Sequence, residues 1–187
     1  FDVAGGVATM SIAGHHLKFY CNNSRVEDCD FLNHFQGAAS FIRGDNGWYR
    51  NVRSITDDLD PGGDTDSAAA GFRISEGDNF WVLDFTAIGP NDQAMLVLGM
   101  QDDGTDVIRN CGYINGYVQS FRAKAATCGA SQNGGAVVNF LGGIYDSLFQ
   151  NIHGSSGRYG TRTVADGSDR KNTIHNVTWR DINITVD

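Results

Sequence analysis

A short pattern recurs along the chain: a bulky apolar residue, one intervening residue, an Asn or Asp, and then an apolar residue or Cys. It aligns the segments RVEDCDFLN, WYRNVRSIT, WVLDFTAIG, VIRNCGYIN, LFQNIHGSS and TIHNVTWRD. The Asn/Asp positions in these segments are Asp28, Asn51, Asp84, Asn110, Asn151 and Asn176. Agreement at three linked positions indicates a structural repeat, whose units bury their apolar faces by stacking on their neighbours.

Each aligned segment follows a second short apolar segment, and a turn rich in Gly, Asp or Asn separates the two. The interval from one Asn/Asp position to the next ranges from 23 residues (28 to 51) to 41 residues (110 to 151). A short minimum with the excess in one variable loop is typical of a coil of three short strands. The composition agrees, because 24 Gly and few Lys favour strands joined by Gly and Asn turns.

This arrangement resembles the right-handed parallel β-helix of the pectate lyase-like superfamily, in which Asn side chains stack as a ladder inside a corner between two sheets. The resemblance implies an all-β, single-stranded right-handed parallel β-helix of about six coils with an Asn/Asp corner ladder. We expect one domain over residues 1–187, either complete or part of a longer chain. The competing fold is an antiparallel β-sandwich, which does not explain the aligned Asn/Asp positions.

Two positions of the predicted corner ladder carry a carboxyl group in place of an amide, namely Asp28 and Asp84. A buried carboxylate is costly unless it accepts hydrogen bonds, and burial favours its neutral form. We therefore expect these two carboxyl groups to be either solvated or protonated.

The net charge of −8 argues against nucleic acid and against an anionic membrane surface as partners. The sequence shows no apolar run of the length that a transmembrane helix needs. The resemblance instead implies a polysaccharide ligand and an extracellular, cell-surface or virion-surface location.

In the superfamily, the outer face of the sheet before the first turn forms a binding groove together with the loops beside it. Period-two alternation places Arg43, Arg73 and Asn139 on or near this face. Arg43 and Asn139 are the candidate substrate-binding residues. Two long loops border the face, at 56–69 and 116–135.

The resemblance implies β-elimination of a uronate polymer, in which a cation or basic groups hold the C6 carboxylate while a base removes the C5 proton. The candidate catalytic residues are Arg73, Arg122, Lys124 and Asp58. Carboxylate oxygens are suitable ligands for Ca²⁺. The candidate calcium ligands are Asp58, Asp60, Asp64 and Asp66. No organic cofactor is expected.

Other interpretations of these residues stay open. A glycoside hydrolase would use two of the loop aspartates as acid and base, but the GHG motif of β-helix polygalacturonases is absent. An acidic loop with Pro and Gly is also typical of a solvated turn, and Arg43 and Arg73 are also typical of a sheet surface. The three Trp residues fall in strands, where packing is a simpler role than sugar stacking.

Three functional classes therefore compete: a polysaccharide-active lyase, a non-catalytic carbohydrate-binding module, and a structural module of a virion, tail or surface filament. The ends of a β-helix expose strand edges. We expect self-association or neighbouring domains to cover them in every class.

The four cysteines are Cys21, Cys29, Cys111 and Cys128. Their spacing matches no zinc motif, but an even number permits two disulfides. One bridge could join Cys111 to Cys128 and another Cys21 to Cys29. The alternative is that these residues are buried free thiols that pack as small apolar groups.

Overall fold

The computed structural model describes residues 2–3, 7–9, 15–20, 22–32, 37–55, 70–88, 93–98, 107–120, 136–141, 143–156, 159–164 and 174–186. All regular structure within these ranges is β-strand. The strands are β1 Asp2–Val3, β2 Val7–Thr9, β3 His15–Tyr20, β4 Ser24–Leu32, β5 Gly37–Ile55, β6 Ala70–Ile88, β7 Gln93–Leu98, β8 Val107–Arg109, β9 Gly112–Ser120, β10 Ala136–Leu141, β11 Gly143–Tyr145, β12 Leu148–Ser156, β13 Tyr159–Val164, β14 Ile174–His175 and β15 Thr178–Val186.

The strands of successive repeats pair side by side in parallel and form three stacks. The first stack contains β3, residues 37–42 of β5, residues 70–75 of β6, β7, β10 and β13. The second contains residues 44–45 of β5, 77–78 of β6, β8, β11 and β14. The third contains β4, residues 48–55 of β5, 81–88 of β6, β9, β12 and β15. The chain is therefore all-β with a predominantly parallel sheet, and the antiparallel sandwich is wrong.

The core lies between the stacks and is rich in aromatic rings. Tyr113 and Phe149 stack at 5.8 Å between ring centroids, and Phe149 stacks on Trp179 at 4.6 Å. These residues belong to one row across the third stack, with one residue from each repeat. Its members are Val26, Tyr49, Val82, Tyr113, Phe149 and Trp179. Burial of such rings supplies much of the hydrophobic free energy that holds neighbouring repeats together.

Two rows of Asn and Asp mark bends in the chain, whereas the sequence predicted a single row. The residues have a positive φ of 49° to 61°, a conformation that Asn and Asp tolerate better than other L-residues. The first Asx row is Asn23, Asn46, Asn79, Asn110, Asp146 and Asn176. The second Asx row, five residues later in each repeat, is Asp28, Asn51, Asp84, Asn115, Asn151 and Asp181.

The predicted corner row mixed these two rows. Asn110 and Asn176 belong to the first Asx row, and their places in the second row are taken by Asn115 and Asp181. The true repeat lengths are accordingly 23, 33, 31, 36 and 30 residues. Both rows are mainly solvent-exposed, so Asp28 and Asp84 are solvated, which was one of the two alternatives.

Short antiparallel strands cover part of the opening repeat. In β1, Asp2 and Val3 pair with Arg25 and Ser24 of β4, and β2 pairs with β3. No helix in the described part of the chain has the length and apolarity needed to cross a bilayer.

The described cysteines are free thiols. Cys111 is buried and Cys29 is half-buried, and the Cys111 Sγ–H donates to the carbonyl oxygen of Arg109 at 3.2 Å. The free-thiol alternative therefore holds for these two residues, and neither of the two possible bridges to them is formed. Cys21 and Cys128 lie outside the described residues.

Candidate functional site

Most of the predicted catalytic and metal-binding residues lie outside the described residues. These are Asp58, Asp60, Asp64, Asp66, Arg122 and Lys124. The calcium site therefore stays a prediction. Within the described ranges, no three His, Cys, Asp or Glu side chains group together as metal ligands.

The backbone register brings two predicted groove positions onto one row of the first stack. Arg73 in β6 pairs with Leu96 in β7, and Leu96 pairs with Asn139 in β10. Positions 73 and 139 are thus two strands, about 10 Å, apart. The residues on either side of position 73, Phe72 and Ile74, are buried, and the groove roles of Arg73 and Asn139 stay predictions. Arg43 lies in β5, between the residues of the first and second stacks.

The most fully described polar and aromatic cluster is on the outer face of the third stack. Here one residue from each of four neighbouring strands forms a row, which we call the tryptophan row: Arg25, Trp48, Trp81 and Gly112. Tyr49 and Val82, which follow the two tryptophans in sequence, are fully buried. Alternation along a strand therefore directs both indoles outward, and both are half-buried.

Charged groups hold the first tryptophan in place. The Arg25 guanidinium carbon lies 4.3 Å from the centroid of the Trp48 ring, which is a cation–π contact. The Trp48 Nε1–H donates to Glu27 Oε1 at 2.8 Å, and Arg50 reaches the same oxygen at 3.0 Å. The indole is therefore oriented by contacts at its face and at its polar edge.

The second tryptophan lies over a position that has no side chain. A Cβ added to Gly112 would come within 2.8 Å of Trp81 Cζ3 and within 2.0 Å of the Leu148 carbonyl oxygen. Gly112 thus allows the Trp81 ring to lie close to the backbone of β9. Trp48 and Trp81 therefore occupy paired positions on the outer face of two neighbouring strands.

A parallel row beside the tryptophans changes from charged to apolar and back. Its members are Glu27, Arg50, Leu83, Ile114, Gln150 and Arg180. Leu83 and Ile114 are half-buried on this outer face, and Arg180 donates to Gln150 Oε1 at 2.7 Å. The two apolar residues of this row, Leu83 and Ile114, are therefore flanked by hydrogen-bonding side chains on both sides. Three arginines against one glutamate give the two rows together a positive balance on a chain of net charge −8.

A second set of polar side chains lies in the third stack, two residues after the second Asx row in each repeat. Arg53 Nε donates to Asp30 Oδ1 at 2.7 Å, and this hydrogen bond lowers the pKa of the Asp30 carboxyl. Tyr117 pairs in register with His153, whose Nε2 lies 2.7 Å from Asn151 Oδ1. Tyr and His can act as acid or base, but the described residues place no further acid–base group in hydrogen-bond contact with either ring.

The sequence itself contains a signal for the tryptophan row. Trp48 and Trp81 occupy the same position in two aligned segments, directly before the buried apolar residue. Alternation from that buried residue predicts that both face outward. The alignment of RVEDCDFLN with WYRNVRSIT places Arg25 beside Trp48 in the register that β4 and β5 have, but the contacts of Arg25 and Glu27 with the indole come from the structure.

Comparison of the chain with family models, with curated proteins and with solved structures gives no match.

Proposed function

We propose that this chain is a right-handed parallel β-helix of about six coils that binds an acidic polysaccharide outside the cell, at a cell surface or at a virion surface. Constant parallel register in all three stacks supports the helix. Membership of the pectate lyase-like superfamily is part of the same proposal.

The observation that carries the binding proposal is the tryptophan row. A sugar ring has an apolar C–H face, and an indole offers a broad apolar surface with a polar edge. Trp48 and Trp81 pair in register, so their strands are about 4.8 Å apart. A polymer running across the strands would contact the parts of both rings that remain exposed beside Arg25, while its substituents reach the flanking polar groups.

The charges beside the row favour a polymer that carries carboxylates or sulfates. Arg25 and Arg50 are exposed around the first indole, and guanidinium groups bind carboxylates through paired hydrogen bonds. Arg50 retains further donors beyond its contact with Glu27, because a guanidinium has five N–H groups. A uronate polymer therefore fits this surface better than a neutral glucan.

Turnover of the polymer is a separate part of the proposal. The residues predicted to catalyse β-elimination are Arg73, Arg122, Lys124 and Asp58, with Ca²⁺ held by the acidic loop. Their reaction would form an unsaturated product that absorbs at 235 nm, and addition of Ca²⁺ tests the metal requirement. Binding by the tryptophan row does not depend on this reaction.

Isothermal titration with pectate, alginate and a glycosaminoglycan, with dextran as the neutral comparison, tests binding. We expect the acidic polymers to bind, with an affinity that falls as salt is added. Trp48→Ala and Trp81→Ala should each weaken binding about tenfold, the equivalent of about 1.4 kcal/mol for loss of one aromatic contact.

Tyr117→Ala is the matched control, since Tyr117 is an exposed aromatic residue of the same stack beyond the second Asx row. It should retain the wild-type affinity. Equal affinity in the wild type and both tryptophan variants would contradict the proposal, and so would a failure of every acidic polymer to bind.

A structural module of a virion, tail or filament is the second candidate. It is favoured by the exposed interior of β15, where Trp179 is 38% exposed although its row is buried in earlier repeats. A wild-type chain that binds none of the polymers but assembles in solution would support this candidate.

A further inference from the structure

Glu27 is a carboxylate beside the tryptophan row, and one of its oxygens has two partners. Glu27 Oε1 accepts the hydrogen bond from Trp48 Nε1–H at 2.8 Å, and Arg50 Nη2 lies 3.0 Å from the same oxygen. The contacts join two strands, because Glu27 on β4 pairs in register with Arg50 on β5. A single side chain therefore contacts both an aromatic and a cationic group of the candidate site.

The first of these contacts orients the indole. A Trp side chain has one hydrogen-bond donor, its Nε1–H, and Glu27 accepts from it at the polar edge of the Trp48 ring. Arg25 lies over the face of the same ring, 4.3 Å from its centroid. The ring is therefore held at its edge and on one face, and loss of the edge contact would give it more freedom to rotate.

The second contact places an acid of the protein itself beside Arg50. The Arg50 side chain is 52% exposed and that of Glu27 is 38% exposed, so a ligand in water can reach both. A carboxylate or sulfate that pairs with Arg50 lies close to the negative charge of Glu27, and like charges repel. Glu27 therefore opposes the binding of an acidic ligand at this guanidinium.

The row that contains Glu27 has no second carboxylate among its described members. Leu83 and Ile114 occupy the corresponding positions on β6 and β9, and both are half-buried. Within the two rows, the charge beside the first indole is therefore a balance between Glu27 and the two arginines, Arg25 and Arg50.

We propose that Glu27 is a positioning and specificity-determining residue of the polysaccharide site. Through its hydrogen bond it orients Trp48, and through its charge it limits how tightly the neighbouring arginines bind an acidic polymer. The inference rests on the proposed function, because it concerns the same surface. It assigns opposite effects to two properties of one side chain: the acceptor oxygen strengthens binding, and the negative charge weakens the binding of acidic ligands.

Two substitutions separate these properties. Glu27→Gln keeps an oxygen that can accept from Trp48 Nε1–H and removes the charge, whereas Glu27→Ala removes both. Isothermal titration uses pectate, alginate and a glycosaminoglycan. For each acidic polymer that the wild type binds, Glu27→Gln should bind about threefold to tenfold more tightly, with a steeper loss of affinity as salt is added. Glu27→Ala should bind more weakly than Glu27→Gln, because its indole is no longer oriented.

The fluorescence anisotropy of Trp48 measures its orientation without any ligand. The chain has three Trp residues, so Trp48 is the remaining one in a background of Trp81→Phe and Trp179→Phe. Glu27→Ala should lower the anisotropy in this background, since the ring gains freedom. Glu27→Gln should retain the anisotropy of the parent variant, because the amide oxygen replaces the carboxylate as acceptor.

Asp30→Asn is the matched control. Asp30 and Arg53 form an ion pair between the same two strands, two residues after the second Asx row. The substitution removes one negative charge, as Glu27→Gln does, but at a position outside the two rows beside the indole. In 0.15 M salt, where charges more than about 8 Å apart are largely screened, it should retain the wild-type affinity. Circular dichroism of each variant establishes that it is folded.

The two roles of Glu27 can fail separately. A Glu27→Gln variant that binds no acidic polymer more tightly than the wild type would overturn the role of the charge, and so would an equal gain in Asp30→Asn. Unchanged Trp48 anisotropy in folded Glu27→Ala would overturn the positioning role, and so would equal affinities of Glu27→Ala and Glu27→Gln.

These results are distinguishable from failure of the proposed function. If the wild type binds acidic polymers and the two tryptophan variants lose affinity, the proposed function holds whatever the Glu27 variants do. A wild type that binds no acidic polymer contradicts the proposed function, and the specificity role of Glu27 with it.

Discussion

At the scale of the residue, the Asx rows join an unusual backbone conformation to a chain of side-chain hydrogen bonds. Every non-Gly residue of positive φ in the described ranges is Asn or Asp. Asn115 Nδ2 donates to Asp84 Oδ1 at 2.9 Å, and Asn151 Nδ2 donates to Asn115 Oδ1 at 2.9 Å. Asn115 thus donates to the preceding repeat and accepts from the next, so the row helps to fix the register.

The second Asx row is interrupted at Asp84, and removing the interruption should stabilise the protein. Asn51 donates to Asp28 at 2.6 Å, but no hydrogen bond joins Asp84 to Asn51 among the described residues, and an Asp side chain lacks the N–H donors of an Asn. Asp84→Asn supplies the missing donor. We expect it to raise the free energy of unfolding by about 0.5 kcal/mol, measured by urea denaturation.

Asp28→Asn is the control for this substitution. It makes the same chemical change on β4, where the row has no preceding described residue that could accept a hydrogen bond. Its stability should equal that of the wild type. If Asp84→Asn is no more stable than Asp28→Asn, the amide row does not contribute to stability in the way described.

The Cys111 thiol should be unreactive in the folded protein and should make the fold sensitive to alkali. Burial raises its pKa to about 12, from an ordinary value of 9.0. The folded state therefore retains a proton that the unfolded state loses, so its contribution to stability is complete below pH 9 and is lost as the pH rises towards 12.

Thiol-reagent kinetics on Cys29→Ser and Cys111→Ser variants, together with melting curves from pH 8 to pH 11, measure these effects. Cys111 should react only as the protein unfolds, and the Cys111→Ser variant should lose less stability than the wild type over this range. Rapid modification of Cys111 in the native protein would contradict the burial on which the argument rests.

At the scale of the element, the sequence predicted the parallel strands but misplaced the register of some repeats. The last three repeats each contain two apolar-x-Asx patterns five residues apart, such as Ile108 to Asn110 and Tyr113 to Asn115. Both fit the same template, and the alignment took the first one in two repeats. Only the pairing of whole strands distinguishes them, because the buried partner of Val82 is Tyr113 and not Ile108.

The candidate site was harder to predict from the sequence than the fold was. The outward direction of Trp48 and Trp81 follows from alternation, but their contacts with Arg25 and Glu27 cross from one repeat to another. Such contacts depend on exact register, and a one-residue slip would move every side chain to the other face.

Within the third stack, Gly116 provides space for a ring of the neighbouring strand. A Cβ added at Gly116 would lie 2.2 Å from Phe85 Cζ, and Phe85 is buried against Tyr113 and Phe72. Gly116→Ala should therefore destabilise the protein by about 1–3 kcal/mol through overpacking, measured as a loss of unfolding free energy in urea.

A double-mutant cycle with Phe85→Leu tests the cause of this loss. Removing the ring should make Gly116→Ala less costly, because the added methyl group then has space. Gly112→Ala should show no such rescue by Phe85→Leu, since its Cβ meets the Leu148 carbonyl oxygen of the backbone. Equal costs of Gly116→Ala in both backgrounds would exclude the ring as the cause.

At the scale of the whole molecule, the repeats depend on one another for burial of their inward-facing side chains. Val26 on β4 and Tyr49, Val82, Tyr113 and Phe149 in the following repeats are all buried in one row. Each of these residues has a neighbour from the adjoining repeat, as expected of a structure in which stacked units share one core. The stability of the fold therefore resides in the contacts between repeats more than within any single repeat.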